Sequence, residues 1–234
     1  NPRTETTDSK QGLDTMKLEL LKPLHAHCGN NEGRYSVGNI FTDGVSIVAT
    51  DERRMARITL AMPDLTIKRD TLVNWKMLKT IGATAIYSDG NIGDDTNVLR
   101  ADILPYYDVD IRWSEHIGDF PNHARIVPAR EHFDAFKQTF RIDLDSTDEK
   151  GLRRRTPAVM VQAVVETLKE FDGIADEALV RDAISCVRAF LKARASLSST
   201  IDLRIRNRKS SIMISSDAAN GDRIDCLFMP IIEN

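Results

Sequence analysis

Apolar and polar positions alternate through Tyr35, Val37 and Phe41, and again through Val45, Ile47 and Ala49. A period of two buries one side of a pleated strand. Thr42-Asp43-Gly44 separates the runs, and Asp-Gly supplies the positive φ that a tight hairpin demands. A third run, Met55 to Leu60, follows the charged corner Asp51-Glu52-Arg53-Arg54. Residues Arg34 to Leu60 are therefore expected to form a three-stranded meander with one buried face.

Residues 1–13 are polar apart from Leu13 and read as a loose tail. Met16 to Leu21 is strand-like, and a short helix is expected to start at Pro23, since proline suits a first helical turn. Met62-Pro63-Asp64 marks a turn and Leu65 to Lys68 a short strand. Asp70 is a natural N-cap for a helix ending at Ile81, with Val73, Met77, Leu78 and Ile81 on one side and Lys76 and Lys79 on the other. Gly82 would close that helix. Ala83 to Tyr87, Val98 to Leu104 and Val109 to Trp113 read as strands. From Met16 to Pro128 the pattern is two successive units of helix plus strands.

The second half changes character. Arg141 to Arg155 is polar and highly charged. Thr156-Pro157 then opens a helix with an apolar stripe of Val161, Val164, Val165, Leu168 and Phe171, ended by Gly173. A second helix spans Asp176 to Arg194, with Leu179, Ile184, Val187, Phe190 and Leu191 as its apolar positions. Three strands follow, at Thr200 to Ile205, Ser210 to Ser215 and Ile224 to Ile231. The chain thus reads as α+β.

At 234 residues the sequence suffices for one large or two ordinary domains. A net charge of −3 provides no overall basic field, so any nucleic-acid contact must come from a local basic face. Cys28, Cys186 and Cys226 are odd in number, widely spaced and without a CxxC, which suits a reducing compartment. No apolar run reaches membrane-spanning length and no signal-peptide pattern opens the chain. A cytoplasmic protein is the expectation.

Three constellations could carry chemistry. His25-x-His27-Cys28 contains zinc-type ligands but lacks a fourth at sensible spacing, so surface or core histidines are the preferred reading and no metal or cofactor is expected. Asp89, Asp94, Asp95, Asp102, Asp108 and Asp110 form an acidic belt that could hold magnesium. No Gly-rich phosphate loop accompanies it, and turn chemistry with a solvated sheet face explains it more simply. Arg181, Arg188 and Lys192 stand at i, i+7 and i+11 along one helix face. With Lys76 and Lys79 they are either a solvated surface or a lining that meets DNA phosphates without reading bases.

The wording of four segments adds to this reading. Val48-Ala49-Thr50-Asp51-Glu52-Arg53-Arg54-Met55-Ala56 resembles the VATDGHRLA signature of the bacterial DNA polymerase III beta subunit, the sliding clamp. Arg34-Tyr35-Ser36-Val37-Gly38-Asn39 is similar to the strand before it in that family's middle domain. Phe120 to Pro128, FPNHARIVP, resembles the FPDYRRVxP segment, and Leu227-Phe228-Met229-Pro230-Ile231 the C-terminal VVMPM. Two substitutions depart from the pattern. Glu52-Arg53 replaces Gly-His and crowds the corner, while His123-Ala124 replaces Tyr-Arg and is expected to remove an aromatic wall.

The resemblance implies two clamp-like domains, at residues 14–128 and 129–234, the second divergent in its first half. Clamps carry strands between the two helices of each domain. Residues 172–176 are too few for them, so the missing strands must come from Phe140 to Leu144 and elsewhere, or half a unit is lost. The implied function is a non-enzymatic processivity factor that encircles or grips duplex DNA without sequence preference and tethers polymerase and clamp-loader peptides. Its peptide groove would draw on Val37, Thr50, Arg53, Arg54, Met55, Pro121, Arg125, Leu227, Phe228, Met229 and Pro230. A homo-oligomer is expected, with a trimer favoured because two-domain subunits need three copies for a six-domain ring. The competing readings are a peptide-binding adaptor that forms no ring and, third, an enzyme built on the acidic belt.

Overall fold

The computed structural model describes residues 16–30, 37–62, 71–73, 83–88, 98–103, 107–112, 120–127, 138–143, 157–170, 176–196, 200–205 and 211–228. The Asp-Gly turn joins β2 (Ile40–Thr42) to β3 (Ser46–Thr50), and the charged corner joins β3 to β4 (Arg54–Thr59). Both turns use one device. Asp43 Oδ1 accepts the backbone N–H of Val45 and Ser46, and Asp51 Oδ1 accepts those of Arg53 and Arg54. The residue after each aspartate has a left-handed backbone, Gly44 at φ 83° and Glu52 at φ 73°. Glu52 thus adopts the conformation glycine would adopt without strain, at the position where the clamp signature has glycine.

The meander belongs to an antiparallel sheet of eight strands ordered β5-β2-β3-β4-β12-β11-β10-β9. Here β5 is Thr71–Val73, β9 Gln138–Asp143, β10 Thr200–Ile205, β11 Ile212–Asp217 and β12 Arg223–Phe228. β4 pairs with β12 over six residues, from Thr59 opposite Arg223 to Arg54 opposite Phe228, and so joins the two halves of the chain. A second antiparallel sheet has the order β1-β6-β7-β8, formed by Met16–Lys17, Ala83–Ser88, Val98–Ile103 and Tyr107–Arg112.

Helices α1 (Leu18–Leu24), α2 (Pro157–Glu170) and α3 (Glu177–Ala193) complete the described α+β fold. α3 packs against α1, α2 and the sheet strands β4, β11 and β12. Asp176 caps it, accepting the Ala178 N–H at 2.8 Å. Its stripe of Val180, Ala183, Ile184, Val187, Phe190 and Leu191 is buried with Leu21 and Leu24 of α1 and with Ile47, Ile58, Ile214 and Ile224 of the sheet. Full burial of such side chains contributes about 1.5–3 kcal/mol each. No described helix is long and apolar enough to cross a membrane.

The structure corrects several sequence expectations. The first helix starts at Leu18 and holds Pro23 inside it. Leu21 and Leu24, both fully buried, follow helical spacing, but so short an apolar run fits either period. Residues 71–73 do not begin a helix capped by Asp70. They pair with β2, Val73 opposite Ile40, and Val73 is fully buried. Tertiary pairing overrides a local cap signal in so short a segment; the rest of that expected helix lies outside the described residues. The meander buries both faces, since every residue of β3 is buried. Among the described residues no strand lies between α2 and α3; Phe140 belongs to β9, which precedes both helices and pairs with β10 from Gln138 opposite Ile205 to Asp143 opposite Thr200.

Candidate functional site

Alternate residues of β4 and β12 point to opposite sides of the eight-stranded sheet. Ala56, Ile58, Ile224, Cys226 and Phe228 face the helices. Met55 and Leu227, opposite one another in the ladder, face the other way. There they form a second buried cluster with Phe41, Val48, Met213 and Val127, flanked by half-buried Leu72 and Phe120. Residues 120–127 cross this outer face, and a single helical turn, His123–Ile126, holds the segment in shape.

Two kinds of contact seat that segment. The Phe120 and Phe41 rings stack at 5.0 Å, and the His123 ring lies 5.2 Å from Phe41. The guanidinium of Arg57, on the same side of β4 as Met55, donates to the Val127 carbonyl at 3.2 Å and pairs with the buried Asp225 at 3.2 Å. Asp225 is fully buried and also accepts from Ser215 Oγ and Arg223 Nε. Such support is what makes a buried carboxylate tolerable. The aromatic wall expected to be lost with His123-Ala124 is rebuilt: His123 joins Phe41 and Phe120 in one aromatic group.

The corner at Thr50 to Met55, the segment at Phe120 to Arg125 and the end of β12 thus meet on one surface. Thr50 lies opposite Met55 in the β3–β4 ladder, and its hydroxyl donates to the Arg54 carbonyl at 2.7 Å. Arg53 and Arg125 are exposed and Pro121 is half-buried. Arg54 and Phe228 point to the helix side instead. Arg54 donates to Asp51 and to the Ala26 carbonyl, both at 2.9 Å, and pairs with Asp182 of α3. It ties three elements together rather than standing at a rim. Val37 is buried behind the corner, its carbonyl accepting the Gly29 N–H at 2.8 Å. A Cβ on Gly29 would come within 2.9 Å of the Val37 side chain and 3.1 Å of the Asp51 backbone, so glycine is required there. Met229 and Pro230 lie outside the described residues.

Arg181, Arg188 and Lys192 are all exposed on α3, on the layer opposite the outer cluster. Arg181 pairs with Glu177 one turn earlier at 2.6 Å, whereas Arg188 and Lys192 have no ion-pair partner among the described residues. The exposed positions of α2 include Glu166, Lys169 and Glu170, so of the two long described helices only α3 carries the basic stripe. Lys76 and Lys79 lie outside the described residues, as do Asp89, Asp94 and Asp95 of the acidic belt. Asp102 lies on β7, with Asp108 and Asp110 on β8, in register opposite Asp102 and Arg100.

No family model matches the sequence, and no curated protein matches it either. Solved structures do. A Helicobacter pylori beta clamp bound to diflunisal aligns over 94% of this chain and 66% of its own, with a TM-score of 0.59 and 12% identity. The chain has the fold of the bacterial sliding clamps. The beta subunit of the Streptococcus pyogenes DNA polymerase aligns over 96% of this chain and 67% of its own, with a TM-score of 0.57 and 11% identity. A third match is an H. pylori beta clamp bound to a DNA ligase peptide, with a TM-score of 0.56, 11% identity and coverage of 92% and 63%. The chain spans 63–67% of these clamp chains.

The sequence motifs pointed to the corner, the crossing segment and the last strand, but not to the residues between them. Phe41, Met213 and Leu72 were missed as site residues because they carry no motif, and Val48 was missed although it opens the corner motif. The alternation of β2 and β3, followed on both faces, could have found Phe41 and Val48.

Proposed function

We propose that this protein is a sliding-clamp-like processivity factor: it grips or encircles duplex DNA with its helix layer and tethers replication or repair proteins through the outer face of its sheet. The supporting observation is the meeting of three sequence-distant segments around Met55, Leu227 and Phe120, in a fold shared with a clamp that binds a DNA ligase peptide. Met55 and Leu227 form a floor that the chain itself covers. A peptide would therefore first meet the half-buried rim of Leu72, Phe120 and Pro121, with exposed Arg125 beside it. On this reading residues 14–128 and 129–234 are two clamp-like units joined at the β4–β12 seam, and the protein works without catalysing a reaction.

Exposed Arg188 and Lys192 suit a DNA-facing role, because phosphate contacts need charge and reach rather than a fixed recognition geometry. Closing a ring would require edge strands at the ends of a subunit to pair with those of a neighbour.

Light-scattering mass combined with retention on circular DNA tests the proposal. A homo-oligomer retained on circular but released from linear DNA is expected. A strict monomer that binds hydrophobic clamp-binding peptides, yet is not retained on DNA, would replace it with the adaptor reading. In the peptide arm, binding at micromolar strength, about −8 kcal/mol, is expected. Phe120→Ala should weaken it by about 1–2 kcal/mol through lost apolar contact.

A further inference from the structure

His27, Cys186 and Cys226 come from three separate elements: the 3₁₀ turn after α1, the middle of α3, and β12. Folding brings their ligand atoms within 4.8 Å of one another. All three residues are buried, at 1%, 3% and 0% relative exposure. His27 Nδ1 is buried with no hydrogen-bond partner among the described residues. A buried imidazole nitrogen without a partner is uncommon enough to need a reason. Both cysteines are free thiols.

We propose that His27, Cys186 and Cys226 form a binding site for a zinc ion that fastens the two halves of the chain together. Zinc takes imidazole nitrogen at about 2.0–2.1 Å and thiolate sulfur at about 2.3 Å in a tetrahedral arrangement. Those bonds place two sulfurs about 3.8 Å apart and sulfur about 3.5 Å from nitrogen, spacings that fit within the observed cluster. On binding, the two thiol protons leave to solvent and two sulfur–zinc bonds form. The ion, two thiolates and a neutral imidazole together carry no net charge. That neutrality suits a group whose two cysteines belong to the buried apolar core, where a residual charge would be heavily penalised. A monovalent copper ion with the same ligands would leave a net negative charge, which makes zinc the better occupant. The fourth tetrahedral position is left to a neutral water molecule, which keeps the site uncharged. His25 and Cys28, the neighbours of His27 that suggested a site in sequence, are not part of the group.

The full chain, kept reduced and loaded with zinc, should retain one zinc per chain by elemental analysis after gel filtration. Cobalt(II) added to the metal-free protein should give thiolate-to-cobalt charge-transfer absorption with tetrahedral d–d bands, releasing about two protons per ion. His27→Ala, Cys186→Ala and Cys226→Ala should each lose the ion, whereas Cys28→Ser should keep it. The cobalt titration uses the unaltered chain and stands even if a variant fails to fold. Absence of stoichiometric zinc together with absence of the sulfur–cobalt band would overturn the proposal. So would loss of the metal in Cys28→Ser with retention in Cys226→Ala.

Discussion

The two faces of the eight-stranded sheet are built differently. The inner face meets three helices and belongs to a continuous core running from Leu21 through Val187 to Ile205. Among the described residues the outer face holds five buried apolar residues under one crossing segment, which adds Val127 and is seated by aromatic stacking and an Arg57 hydrogen bond. The inner face holds the fold together. The described cover of the outer one is that single segment, and a cover of this size opens or exchanges partners at modest cost.

The comparison predicts unequal penalties. Phe190→Ala on the inner face should cost about 3–5 kcal/mol, read as a lower urea midpoint, because three packed layers cannot collapse into the cavity. Leu227→Ala on the outer face should cost about 2 kcal/mol, since the crossing segment can settle into the gap. Equal losses would remove the distinction between the faces.

Arg54 tests the inner face by another route. Arg54→Met should cost about 1–2 kcal/mol in the same denaturation, with Asp182 and Asp51 partly solvated and so only partly penalised. Peptide binding on the outer face should be unchanged; if it fell with stability intact, Arg54 would belong to the groove after all.

Glu52→Gly should stabilise the protein by about 1 kcal/mol, seen as a higher midpoint, because glycine relieves the left-handed backbone at φ 73°. A loss would show that the corner makes contacts through the Glu52 side chain. The smallest stability effect should come from Arg188→Glu with Lys192→Glu, within about 0.5 kcal/mol, as for most exposed sites. The same pair should release the protein from circular DNA at lower salt, since each phosphate contact displaces counterions. Unchanged retention would separate the helix layer from DNA.

What the sequence determined by itself was local and periodic. The Asp-Gly turn, the long helix read from Asp176 to Arg194, and β10 at Thr200–Ile205 all rest on neighbours in the chain, whose chemistry is visible in the string. The motif at the corner also located the strand pair around Thr50 and Met55. The tertiary structure alone decided matters of pairing and side. Thr71–Val73 became a strand because β2 offered a ladder, and β4 met β12 across more than 160 residues. Arg54 turned inward while Met55 turned outward, because the pleat reverses direction at each residue. His27 joined Cys186 and Cys226 rather than adjacent Cys28 for the same reason: contacts between distant residues depend on packing, and no spacing in the sequence records them.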